Sequence, residues 1–299
     1  MSSFQRPFIG RGVIILLTAA AMLSSGCSHG RSNRSSLPSA SKNPGKVNLL
    51  ACRLASYGKF QEVAWTHLPS IGVRHIEMPV PATDQIAATR EKLARHGLTV
   101  VMFTGKTDLS QPGCVDELAA QLTTCEKMGV KLLFLSAKLR GETAEVVCDR
   151  LKRAGEIARL HGVTISLETH PELATNAEVA RRTMGHISHS NVRINFDTGN
   201  IYFYNEDVDA ISQARRLMSS IVSVHLKETD GKFGSWHFPA LGKGVVDFTA
   251  LMRLFNEHHF YGPFIMELEG IKGVELDEEQ TKQMVADSVA HMRSIAEFE

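Results

Sequence analysis

Glu168, Asp197, His225 and Glu267 share one context: each lies at or near the C-terminal end of a short apolar run. Three carboxylates and one imidazole brought within a few ångströms would repel, and one acid would be forced to keep its proton. A divalent cation removes that conflict. An oxygen-rich ligand set with a single histidine suits one Mn²⁺, Mg²⁺ or Co²⁺ ion, with Zn²⁺ also compatible, better than it suits a structural thiolate zinc site. Any one of these residues alone would read as a solvated strand end, since connections are commonly polar. Four successive runs with the same polar ending require elements that bring those ends to one place.

The elements can be counted. Apolar runs at 47–54, 73–78, 98–104, 130–136, 163–168, 192–197, 221–226 and 263–268 are rich in Val, Ile, Leu and Phe and read as strands. Helical stripes separate them: Val115, Leu118, Leu122 and Cys125; Val147, Leu151, Ala154 and Ala158; Val285, Val289, Met292 and Ala296. Gly72, Gly97, Gly129 and Gly162 each stand just before a strand, where a helix closes. Strict alternation predicts parallel strands with helical crossovers, and eight units over this length predict a single-domain α/β fold, the (β/α)₈ TIM barrel. An open doubly wound sheet fits less well, because ASYGKF, with no glycine-rich phosphate turn, follows the first strand. Period 2 sets the phase: Ser166 with Glu168, Asn195 with Asp197 and Ser223 with His225 face inward, while Leu167, Phe196 and Val224 face the helices. The four ionisable residues then meet at the barrel mouth.

The 299 residues carry 33 basic and 32 acidic side chains, with 43% hydrophobic content. That composition excludes a disordered chain and a nucleic-acid binder that depends on a strong positive field. At the start, Arg6 and Arg11 precede the uncharged run 13–23, and Ser24-Ser25-Gly26-Cys27 follows. This pattern predicts a signal peptide over 1–26, with Cys27 as a lipidation site of the bacterial lipoprotein kind, although Leu23 stands one place early for that motif. The alternative is plain secretion with cleavage nearby. Residues 27–45, rich in Ser, Pro, Gly and Asn, read as a flexible tether, and 46–299 as the barrel. The expected location is therefore the cell envelope or periplasm, with membrane contact only through the anchor. Removing 1–26 leaves 31 basic against 32 acidic residues. Cys52, Cys114, Cys125 and Cys148 are too sparse for a disulfide scaffold, and no essential disulfide is expected.

The chain resembles the xylose isomerase-like TIM-barrel superfamily, the sugar phosphate isomerase/epimerase group, over roughly residues 46 to 297 in organisation and by specific motifs in its second half. The matching segments are ISLETH (165–170), INFDTGN (194–200), SVHLKE (223–228), LGKGVVDF (241–248) and YGPFIMELE (261–269). The resemblance implies that Glu168, Asp197, His225 and Glu267 hold one divalent metal. It implies that Glu168 and Glu267 also move a proton, one removing it and one returning it through an enediolate of a ketose or related hydroxyketone. It places His170 and Lys227 near the substrate, a small sugar or polyol. The common Glu-Asn-His reads Glu168-Thr169-His170 here, and Asn200 stands where many members have His. Asn200 and the near-neutral charge both argue against the three-metal apurinic endonuclease branch, and so against a nucleic-acid substrate.

The long connection 228–246 carries Trp236 and His237 over the expected mouth. Trp236 either stacks on a sugar face or packs the loop onto the barrel. Glu269 reads as supporting or solvated, and His75 and Glu77 share a phase but receive no role. Two other readings stand beside the isomerase: a dehydratase of a ketosugar or inosose using the same intermediate, and a non-catalytic carbohydrate-binding barrel. The oligomeric state, with an oligomer compatible, is left open.

Overall fold

The computed structural model describes residues 47–299; the expected signal peptide, Cys27 and the tether lie outside them. Eight parallel strands close into one barrel: β1 (Leu50–Arg53), β2 (His75–Pro79), β3 (Thr99–Thr104), β4 (Leu132–Leu135), β5 (Thr164–Glu168), β6 (Val192–Asp197), β7 (Ile221–Leu226) and β8 (Phe264–Met266). β8 pairs with both β7 and β1, which shuts the ring.

Helices run outside it: α1 (Ala64–Ser70), α2 (Ile86–His96), α3 (Cys114–Met128), α4 (Ala144–Leu160), α5 (Ala177–Ile187), α6 (Thr198–Phe203), α7 (Ala210–Leu217), α8 (Phe248–Glu257) and α9 (Glu278–Ile295). Gly97 and Gly129 end α2 and α3 at φ 62° and 76°, a conformation that a side chain would strain. Leu54–Val63 forms tight 3₁₀ turns in place of more strand, so β1 is shorter at both ends than its apolar run. β8 likewise stops at Met266, and Glu267 lies one residue past it, tied back by its N–H to Leu226 O at 3.0 Å.

The period-2 phase holds. Leu167, Phe196 and Val224 are buried in the layer between sheet and helices. Ala51, Met102, Phe134 and Ile265 fill the barrel interior as a separate apolar plug. On the same inward phase, Ser166 Oγ meets Ser223 Oγ at 2.7 Å, and Ser223 Oγ donates to Asn195 Oδ1 at 2.9 Å. This polar chain lies one inward position below the strand ends. The four described cysteines are buried thiols, and burial raises each. Among the described residues no helix is long and apolar enough to cross a membrane.

Candidate metal centre

The register brings the predicted ligands to one level. Glu168 pairs with Asn195, and Asp197 with His225, at adjacent strand ends. Glu168, Asp197, His225 and Glu267 each offer one ligand atom within 4.8 Å of all the others, and all four residues are buried.

Each ligand is aimed by its neighbours. Asp197 caps α6: its Oδ1 accepts from the N–H groups of Gly199 and Asn200, both at 2.9 Å, which commits that oxygen and leaves Oδ2 facing the cluster. The N–H of Asp197 itself donates to Thr169 Oγ1 at 2.8 Å. Asn200 Nδ2 donates to Glu168 Oε1 at 3.1 Å and to Thr169 O at 3.2 Å. Asn200 therefore positions one carboxylate of the cluster. His225 lies against Phe134, ring centroids 4.8 Å apart, on top of the apolar plug.

Glu77, given no role from sequence, fixes the imidazole. It is fully buried in β2, and its Oε2 lies 2.7 Å from His225 Nε2. Burial pushes the Glu77 carboxyl up, but His225, Arg53 and the Thr104 hydroxyl outweigh it and hold the acid below its ordinary range. An ionised Glu77 accepts a hydrogen bond from Nε2, which aims the ring with Nδ1 towards the cluster. That Nδ1 lies 3.0 Å from Glu267 Oε2 and takes no hydrogen bond. Asp197 Oδ2 and Glu267 Oε2 are also buried without a hydrogen bond, and each meets one charged partner, Lys227 Nζ, at 3.1 Å. Three electron-rich atoms facing one another in this way fit a cation.

The charge balance points the same way. Lys227, expected beside the substrate, has its ammonium among the ligands: 3.1 Å from Asp197 Oδ2, 3.1 Å from Glu267 Oε2, 3.0 Å from Glu269 Oε2 and 3.2 Å from Asn200 Oδ1. Burial works against its charge, but Asp197, Glu269 and Glu168 outweigh that and raise its pKa. Arg53, at the end of β1, pairs with Glu267 and reaches Glu77 at 3.5 Å. Among the described residues, Glu77, Glu168, Asp197, Glu267 and Glu269 thus face two permanent cations, Arg53 and Lys227, and a divalent ion would reduce the excess. Arg53 and Glu77 escaped assignment because their partners are distant in sequence; the visible signal was a charge inside an otherwise apolar strand.

The other expected site residues line the mouth or stand beside it. His170 is half-buried, its Nε2 2.9 Å from the Tyr204 hydroxyl. Burial and the Glu168 charge push the Tyr204 phenol up to about 12, so it stays a neutral donor. Trp236 packs edge-on to Phe203 and Phe238 yet keeps 44% of its surface exposed. It lines a cavity of about 550 Å³ together with Arg53, Tyr57, Lys59, Glu267 and Glu269. His237 lies on a small antiparallel pair, His237–Phe238 with Gly270–Ile271, that clips the long loop to the segment after β8. Buried Glu228 holds the same loop, accepting from Val246 N–H at 3.0 Å and Gly242 N–H at 2.8 Å.

A closed parallel barrel with a carboxylate–imidazole cluster at the strand ends defines a class. The family model described as "Xylose isomerase-like TIM barrel" matches residues 65–295, and the chain belongs to that family. L-ribulose-5-phosphate 3-epimerase UlaE of Escherichia coli is 26% identical over 229 residues, which cover 67% of this chain and 78% of that one. Among solved structures, D-psicose 3-epimerase from Clostridium cellulolyticum, determined with D-tagatose, superimposes at a TM-score of 0.69 with 15% identity, covering 83% of this chain and 99% of that chain. A xylose isomerase domain protein from Planctomyces limnophilus gives 0.68 with 19% identity, covering 84% and 98%.

Proposed function

We propose that the protein is a divalent-metal-dependent sugar isomerase or epimerase acting on a ketose or related hydroxyketone. One observation carries this reading: four buried candidate ligand atoms within 4.8 Å of one another, with the His225 ring aimed by Glu77. When bound, the cation polarises a substrate carbonyl and acidifies the neighbouring C–H. Glu168 and Glu267 come from β5 and the end of β8, three strands apart around the ring, so they approach a bound carbon from different sides. One carboxylate takes the proton: the C–H bond breaks, an O–H bond forms, and the electron pair moves onto the carbonyl oxygen to give the enediolate. The other carboxylic acid returns a proton to carbon. Transfer of this kind contributes typically ~10² to 10⁴-fold. Lys227 and Arg53 steady the anionic carboxylates, and Trp236 offers a face to the sugar ring.

The named relatives support the reading: UlaE is an epimerase of a ketopentose phosphate, and the D-psicose enzyme is an epimerase of a free ketose. We favour a free or oxidised sugar, in keeping with an exported chain anchored at Cys27 and located in the cell envelope. The test is solvent-deuterium exchange followed by NMR on a panel of ketoses. Deuterium entering a carbon beside the carbonyl, and lost in Glu168→Gln, supports the enzyme. Binding without exchange in the metal-loaded protein contradicts it.

A further inference from the structure

A second cavity, of about 710 Å³, opens on the face opposite the metal centre. Arg181, Arg193, Arg215 and Arg216 line it, with serines such as Ser188 and Ser220 between them. They come from α5 and α7 and from the starts of β6 and β7, which places them at the N-terminal end of the barrel. No carboxylate lines this cavity among the described residues, and none of the four guanidinium groups has an ion pair or hydrogen bond there. Glu156, the partner of the lining His189, is also paired with Arg159. A cleft of unpaired guanidinium forks and hydroxyls matches phosphate oxygens.

Two further observations indicate where such phosphates would be. The described chain enters through β1, whose start lies at this same end of the parallel barrel. The described chain is thus entered at this end, while the metal centre opens at the far end. Leu160, at the end of α4, is 69% exposed, and Glu156 one turn earlier reaches His189, which lines the cleft. Unpaired arginines beside a protruding leucine are the pattern of a surface that lies on a charged lipid interface.

We propose that this cleft docks the barrel onto the phosphate headgroups of an anionic bilayer, with the catalytic mouth turned towards solution. The inference rests on the proposed anchoring for its setting, while the docking chemistry needs no lipid on Cys27. The test uses residues 27–299 with Cys27→Ser, which removes the anchor, and co-sedimentation with phosphatidylglycerol-containing or pure phosphatidylcholine vesicles. Binding to the anionic vesicles alone is expected. It should fall steeply between low and high salt, and by about 10²-fold in Arg181→Gln/Arg215→Gln/Arg216→Gln. Leu160→Ser should weaken it further, with metal content and exchange activity unchanged. Equal binding by the triple variant, binding to neutral vesicles, or binding of inorganic phosphate without binding of vesicles overturns the proposal. Mass spectrometry of Cys27 from native membranes judges the anchor separately, so failure of one reading is distinguishable from failure of the other.

Discussion

Glu77 Oε2 stands 2.7 Å from His225 Nε2, in a pair with no exposed side-chain surface. This contact aims the one imidazole of the cluster, and it links β2 to β7 through the barrel interior.

Glu77→Gln keeps the shape but replaces an anionic acceptor with a neutral amide. His225 then loses the partner that holds its hydrogen on Nε2. Metal affinity should fall about 10- to 100-fold with the fold retained. Competition against a chromogenic chelator, alongside a thermal melt, checks this. Unchanged affinity would show that Glu77 does not set the ligand.

Lys227 faces three carboxylates across gaps of 3.0 to 3.1 Å. Lys227→Met removes the charge and leaves those acids buried together, so the metal-free protein should lose about 3–5 kcal/mol of stability. The loss should be smaller with metal bound, because the ion supplies replacement charge. The pH dependence has a definite sign. The lysine is raised above 10.5 in the folded protein, so its contribution is fully present below that value and disappears only as pH rises through the higher folded value. The gap between parent and variant should therefore be constant from about pH 6 to pH 9. Denaturant melts in chelator across that range measure it.

Trp236 lines the cavity and remains 44% exposed. Trp236→Ala should raise KM about three- to tenfold, the worth of one stacked ring, and lower stability by about 1 kcal/mol through lost contacts with Phe203 and Phe238. A fall in kcat at unchanged KM would place Trp236 outside the substrate's reach.

The sequence was most legible where local patterning and tertiary role agree. β6 and β7 run over 192–197 and 221–226, the spans their apolar runs predict, and inward alternation put Asp197 and His225 on the correct face. β1 and β8 are shorter than their runs, because Leu54 and Leu268 are buried by turns without joining the ladder. The ligands were readable as strand endings, whereas their support was not. Glu77 and His225 are 148 positions apart, and Arg53 and Glu267 are 214 apart, so no local spacing reports either pair. Lys227 was expected beside the substrate from the resemblance, and only the closed ring shows that its ammonium also stands among the carboxylates of the cluster.

The central claim is that one divalent cation is held by Glu168, Asp197, His225 and Glu267. Its most direct test is elemental analysis of protein stripped with chelator, reloaded and desalted, compared with Asp197→Ala treated in the same way. The account predicts one tightly held ion per chain in the parent and well under one in the variant. A parent that retains no ion, or a variant that retains as much as the parent, would contradict it.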